Sequence, residues 1–153
     1  MLINMKTSDS PIDTANDFAK EATAEGFSFD FSLSSLEVEI DKYLAKYYPL
    51  NQETKLRVEC VLTAYIGETI RRLYQGEWTG EYSLSSPGLN FYTCRVKIGK
   101  FDFYPNHFIG YYLSNSKKSE GTFYDYLHKR DYSQGIFHDF LGGGLLNIIT
   151  KEK

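Results

Sequence analysis

Cysteine, histidine and tryptophan are scarce in this chain of 153 residues, at two, three and one respectively. Two cysteines, Cys60 and Cys94, are too few for a disulfide framework. They read as small buried hydrophobes. The three histidines, His107, His128 and His138, share no His-x-x-x-His spacing and have no cysteine pair beside them, so the sequence carries no metal-ligand motif. Long apolar runs are missing as well. Nothing approaches the roughly 18–20 apolar residues of a membrane span, and Met1 to Ser10 lacks the cationic start and apolar core of a signal peptide. These absences favour the cytosol as location, with no membrane partner and no cofactor. Gly142-Gly143-Gly144 lacks the Lys-Ser/Thr that follows in a P-loop and reads as a joint.

Catalytic signatures are equally thin. Asp125 with His128, and Asp139 with His138, have acid–base composition, but a functioning pair needs a shared pocket and a nucleophile. Ser83, Ser85 and Ser86 sit in a turn-rich stretch without a nucleophile-elbow pattern. The sequence therefore names no catalytic residue, and the chain reads as a non-enzyme. Nucleic acid is disfavoured too. The formal net charge is -3, and the face formed by Phe91, Arg95 and Lys97 lacks the RNA-recognition signature.

What the chain has in excess is aromatic residues, 16% of the total, with 13 Tyr and 11 Phe. Tyrosine buries its ring while its hydroxyl seeks water or a partner, which suits both an aromatic core boundary and a recognition surface. Hydrophobic residues at 42% and charged residues at 24% are the balance of a globular chain. The length suits one domain over 1–153, with residues 1–9 and 142–153 read as flexible ends.

Ser10-Pro11 opens a first helix, the serine as N-cap and the proline in the first turn. Its stripe is Ile12, Ala15, Phe18, Ala19 and Ala22, and Gly26 ends it. Phe27, Phe29 and Phe31 alternate along an extended stretch. Ser34 and Glu37 have capping-box spacing for a second helix, whose stripe is Leu36, Ile40, Tyr43, Leu44 and Tyr47. Asn51 caps a long helix that runs to Gln75, about seven turns. On the helical wheel Leu62, Ile66, Ile70 and Leu73 share one arc, with Arg57, Glu68, Arg71 and Arg72 opposite. Glu68 and Arg72 have the spacing of an i,i+4 ion pair. Gly67 costs about 1 kcal/mol in a helix relative to Ala, and a close crossing by another backbone would explain it. Glu59 falls inside the apolar arc. A buried carboxylate there would need a partner; the reading preferred here is that this end of the helix projects past the core and leaves Glu59 wet.

Beyond Gly76 the period changes. Glu77 to Tyr82 is a strand and Ser83 to Asn90 a loop. Tyr92, Cys94, Val96 and Ile98 alternate in a second strand. Gly99-Lys100 turns into a third carrying Phe101 and Phe103. Pro105 leads a short helix, and further helical segments follow over 122–130 and 133–141. The expected architecture is α+β: N-terminal helices with one long central helix packed on a small three-stranded antiparallel meander, then short C-terminal helices.

Gly67-Glu68, Arg71-Arg72 and Gly76-Glu77-Trp78 together resemble a pattern in uncharacterised small bacterial proteins, a helix bearing Gly-Glu and arginine that ends in a glycine turn and a tryptophan. The likeness covers Leu56 to Leu127, and Glu77 stands where the second glycine of that pattern would be. Some proteins of this build are immunity proteins, so the resemblance implies a bacterial cytosolic protein that binds a protein partner, such as a cognate toxin. No catalytic residue transfers with it. On that reading Glu37, Glu39 and Asp41 on one helix, or Trp78 and Tyr82 near the sheet edge, are the contact candidates. The alternatives are a small-molecule-binding or enzymatic domain using a carboxylate such as Glu59 or Glu68, and a structural homodimer.

Overall fold

The computed structural model describes residues 10–47, 51–80, 83–85, 88–91, 94–99 and 101–114. The segments expected to be helical over 122–130 and 133–141, the Gly142–Gly144 joint, both flexible ends and Tyr82 lie outside the described residues. The described part is α+β, mostly helical with a small three-stranded antiparallel sheet.

Helix α1 spans Pro11–Ala24 and starts as its cap predicts: Asp13 N–H donates to Ser10 Oγ at 3.1 Å, with Pro11 in the first turn. It buries Thr14, Ala15, Phe18, Ala19 and Ala22, but Ile12 stays 37% exposed and falls outside the buried stripe. The phenylalanine stretch that follows is irregular rather than a strand. Phe29 is buried, while Phe27 and Phe31 are partly so. Phe31 has φ 62, a left-handed conformation uncommon for an aromatic residue. Its amide donates to Tyr65 Oη at 2.9 Å, and the Arg72 guanidinium lies 3.6 Å from the centre of its ring. These two tertiary contacts hold the strained residue in place.

The second helical unit is a π-helical segment, Ser35–Glu39, that runs into helix α2, Ile40–Tyr47. The Ser34–Glu37 capping box does not form. Ser32 takes the role instead: its hydroxyl oxygen accepts from Ser35 N–H at 3.2 Å, while its carbonyl accepts from the Ser35 hydroxyl at 2.7 Å. The Ser35 hydroxyl also lies 2.5 Å from Tyr65 Oη. A tertiary partner has therefore moved the helix start away from the local optimum.

Helix α3, Gln52–Tyr74, is the unbroken spine, with Thr54 N–H donating to the Asn51 cap at 2.8 Å. Ile66 and Ile70 are buried, as the wheel predicts. The opposite side is not solvated as expected. Every residue from Val58 to Ile70 is buried, because α1, helix α4 (Pro105–Ser114) and strand β4 (Arg95–Ile98) pack around the rod on different sides. Such a helix is a core element rather than a surface one.

The sheet order is β1 (Glu77–Thr79), β4 (Arg95–Ile98), β5 (Phe101–Phe103), all antiparallel. Ile98 pairs with Phe101 across the two-residue turn at Gly99, as the sequence predicts. The stretch read as a loop is instead a second hairpin, β2 (Ser83–Ser85) with β3 (Gly88–Asn90), Ser85 opposite Gly88. Triplets this short carry no alternation to read. Phe91, expected on the wet face with Arg95 and Lys97, is buried at 1% exposure with Ala15, Cys60, Ala64 and Cys94. Cys94 N–H donates to Phe91 O at 3.1 Å, a contact that the alternation of one continuous strand does not allow.

Gly67 does face a close crossing, but by a side chain rather than a backbone. A methyl added at Gly67 would fall 2.6 Å from Trp78 Cζ2 and 3.0 Å from Pro105 Cγ. Gly76 is needed for approach as well: a methyl there would sit 2.9 Å from Lys97 O in β4. The left-handed residue that ends α3 is its neighbour Gln75, at φ 55. Gly67→Ala should therefore destabilise the protein by about 1–2 kcal/mol, overpacking outweighing the better helix propensity. The cost should shrink in a Trp78→Phe background, which lacks the benzo ring that meets the methyl. Urea unfolding midpoints of the single and double variants measure this.

Candidate functional site

The residues of the Gly-Glu, Arg-Arg and Gly-x-Trp pattern converge on one atom group, the Glu68 carboxylate. The rise of α3 puts Arg71 and Arg72 one turn beyond it on neighbouring faces. Arg71 grips it with two bonds, Nε to Oε1 and Nη2 to Oε2, both 2.7 Å. Arg72 Nε donates to Oε2 at 2.9 Å. Gln75 and Gly76 then turn the chain back, and Trp78 Nε1 on β1 donates to Oε1 at 3.0 Å. Arg72 also donates to Asn16 Oδ1 of α1 at 2.8 Å. The predicted Glu68–Arg72 pair exists, but Glu68 is wholly buried rather than solvated, and two further groups share it. Burial pushes the Glu68 carboxyl pKa up. Hydrogen bonds from Arg71, Arg72 and Trp78, with the charge of Arg71, outweigh it and hold the carboxyl below its ordinary value.

Glu59 is buried too, at 7% exposure, which corrects the expectation that it is wet. Helix α4 covers that end of α3. Asn106, the residue after the leading proline of α4, donates its amide to Glu59 Oε2 at 2.9 Å and to Thr63 Oγ1 at 3.3 Å. Gly110 lets the two helices close: a methyl there would stand 2.8 Å from Glu59 Oε2. The carboxylate is thus seated in a helix–helix joint.

The other named residues scatter. Glu39 does not face outward as a contact would. It is 8% exposed, accepts from Ser28 N–H at 2.8 Å and pairs with Lys42 at 3.2 Å. The wide π-helical turn rotates it inward, while Glu37 and Asp41 remain half-buried at the surface on either side of Val38, which is 42% exposed. Trp78 is half-buried, committed on one edge to Glu68 and across its ring to Gly67. Its free side lines a groove of about 180 Å³ between the start of α1 and β1. Ser10, Pro11, Ile12, Thr79, Gly80 and Cys94 complete the walls. Neither Cys60 nor Cys94 is in a disulfide, and burial pushes Cys60 up to about 12 and Cys94 to about 11, which leaves them poor nucleophiles.

A cluster that sequence reasoning missed closes the far end of α2. Glu25, the C-cap of α1, accepts hydrogen bonds from the Tyr47 hydroxyl and from Lys46 Nζ, the latter at 3.2 Å. Lys46 Nζ also lies 5.6 Å from the centre of the Phe27 ring and 5.3 Å from that of Tyr47. The Tyr47 bond, against the desolvation of burial and with help from Lys46, lowers the Glu25 pKa. Beneath them Tyr43 is fully buried and its hydroxyl has no hydrogen-bond partner among the described residues. No spacing rule joins residues 25 and 27 to 46 and 47, so no sequence signal marks this arrangement.

Among the described residues no three His, Cys, Asp or Glu side chains group closely enough to hold a metal ion, and no helix is long and apolar enough to cross a membrane. No family model matches the chain, and neither a curated protein nor a solved structure matches it. The likeness to small bacterial proteins of immunity type thus rests on the quoted residues alone.

Glu68→Gln removes the charge that two guanidiniums share and should destabilise the protein by about 3–5 kcal/mol. The sign with pH follows from the lowered carboxyl. Its stabilising contribution is complete above the ordinary value of 4.5 and is lost as pH falls through the lower folded value. The gap in urea midpoint between wild type and Glu68→Gln should hold at neutral pH and close progressively below 4.5.

Proposed function

We propose that this is a protein-binding module, an immunity-type inhibitor that occludes a basic partner such as a cognate toxin in a bacterial cytosol. The observation that carries the reading is the groove along β1. It joins an exposed apolar side chain, Ile12, to the accessible side of Trp78. It runs beside β1, which stands at an edge of the sheet among the described residues. An apolar anchor beside an edge strand is a recurrent means of protein recognition. The net charge of -3 favours a partner of opposite sign. The signature residues support this surface from below: Glu68 fixes Trp78, and Trp78 forms the groove wall.

A carboxylate enzyme gains less support, since Glu59 and Glu68 are both seated against donors of this chain. A homodimer through the same edge is the second reading, because an edge strand that accepts a partner strand accepts its own copy.

The product of a neighbouring gene, co-expressed with this protein, should elute with it as a stoichiometric complex. Ile12→Glu should weaken that complex at least about tenfold, the effect of burying a charge at an anchor, while leaving the unfolding free energy from urea titration within about 0.5 kcal/mol of wild type, as expected for a surface site. Val38→Lys is the matched variant at the Glu37–Asp41 surface and should leave affinity close to wild type. Titration calorimetry reads the affinities, and sedimentation of the protein alone tests the homodimer.

A further inference from the structure

The cluster at the end of α2 has the parts of a receptor for an ammonium group, and the chain's own lysine occupies it. Glu25 supplies the anion. The faces of Phe27 and Tyr47 lie within the roughly 6 Å at which a ring attracts a cation. The walls are fixed. Phe27 packs on Tyr43 at 5.3 Å between ring centres and on Phe29 at 6.0 Å, and Tyr47 packs on Tyr43 at 4.9 Å. Phe29 and Tyr43 are buried. The Tyr47 hydroxyl holds the Glu25 carboxylate in place.

The occupant is not fixed in the same way. The Lys46 side chain is 51% exposed and hangs on a flexible four-carbon stem with three rotatable donors. An exposed pair of this kind contributes little to stability. A rigid, preorganised cage filled by a loosely held plug is poised for exchange, because the cost of ordering the walls has already been met.

We infer that Glu25, Phe27 and Tyr47 form a binding site for a lysine side chain of a partner protein, which enters by displacing Lys46. The ligand is a primary ammonium on a thin alkyl stem. Lys46 demonstrates that this shape fits, and its hydrogen bond to Glu25 Oε1 requires an N–H that a quaternary ammonium lacks. The source of the lysine, a basic protein, rests on the function proposed above; the site itself does not.

The test uses the full chain and N-acetyl-lysine methylamide, with binding followed by NMR shifts at Phe27 and Tyr47. Lys46→Ala removes the internal competitor and should bind the probe up to about fivefold more tightly than wild type, the most that deleting a weakly held surface competitor can yield. Adding Glu25→Gln to Lys46→Ala should abolish the gain. The trimethylated form of the probe should bind more weakly than the primary amine. Absence of saturable shifts in Lys46→Ala, equal affinity in Lys46→Ala and wild type, or a trimethylated probe that binds as tightly as the primary amine would each overturn the proposal. Because no partner protein is present, failure here leaves the groove reading intact. Failure to find a complex likewise leaves the cage intact.

Discussion

One carboxylate, that of Glu68, ties together parts of the chain that hydrophobic packing alone would leave free to slide. It is fully buried and receives four hydrogen bonds from three side chains. An ionised carboxylate with no donors would be forced to take up a proton or leave the interior. With two guanidiniums and an indole it stays charged. The arginines lie on the same helix and would be near in any fold. The indole does not: it reaches Oε1 only if α3 ends at Tyr74, the chain reverses at Gln75–Gly76, and β1 returns along the helix. The Trp78 bond therefore sets the angle between helix and sheet, and the ring lying over Gly67 sets their separation.

Two consequences radiate from that point. Arg72, held by Glu68, presents its guanidinium to the Phe31 ring and to Asn16. It thus joins α1 and the strained phenylalanine turn to the spine. The Tyr65 hydroxyl, one turn before Thr69, accepts from the Phe31 amide and shares a hydrogen bond with the Ser35 hydroxyl, which joins the π-helical segment to the same face. The side chains of α3 thus act as a polar ladder along a rod otherwise buried in aromatic and aliphatic contacts.

The sequence was most legible where local chemistry decides the outcome. Ser10-Pro11, Asn51, the Gly99 turn and the Pro105 helix start each satisfy backbone groups with residues a few positions away, and each stands where its local signal puts it. Legibility failed where a distant partner wins. Ser34 lost its cap because Ser35 is drawn to Tyr65. Glu39 turned inward because the Ser28 amide needs an acceptor. A wheel drawn for α3 assigns one wet side to a helix that α1, α4 and β4 surround, so it misplaced Glu68; it put Glu59 on the apolar arc, and only the expectation that this end of the rod projects past the core failed there. Gly67 was the useful clue: an unfavourable residue in a helix marks a close approach, although its identity as an indole could not be read from spacing. The Glu25–Phe27–Tyr47 cage was invisible for the same reason, being assembled across a helix pair by residues that have no periodic relation.

Three buried glutamates follow a common logic. Glu39 takes an amide from the connection before it, Glu59 an amide side chain from α4, and Glu68 an indole from β1. Apolar contact is non-directional and tolerates a shift of one turn; a buried carboxylate does not, because a displaced partner leaves it bare. Each glutamate therefore pins one neighbour in register against a helix. Along α1, the π-helical segment and α2 other acidic residues stay nearer the surface. There Glu37 and Asp41 sit half-exposed around Val38, and Glu25 meets Lys46. The groove beside β1 begins at the opposite end of α1 from Glu25. A helix of 14 residues separates the two by about 20 Å at 1.5 Å per residue. One partner of ordinary interface size spans such a distance, so apolar anchor and ammonium cage can belong to a single recognition surface built on the first helix.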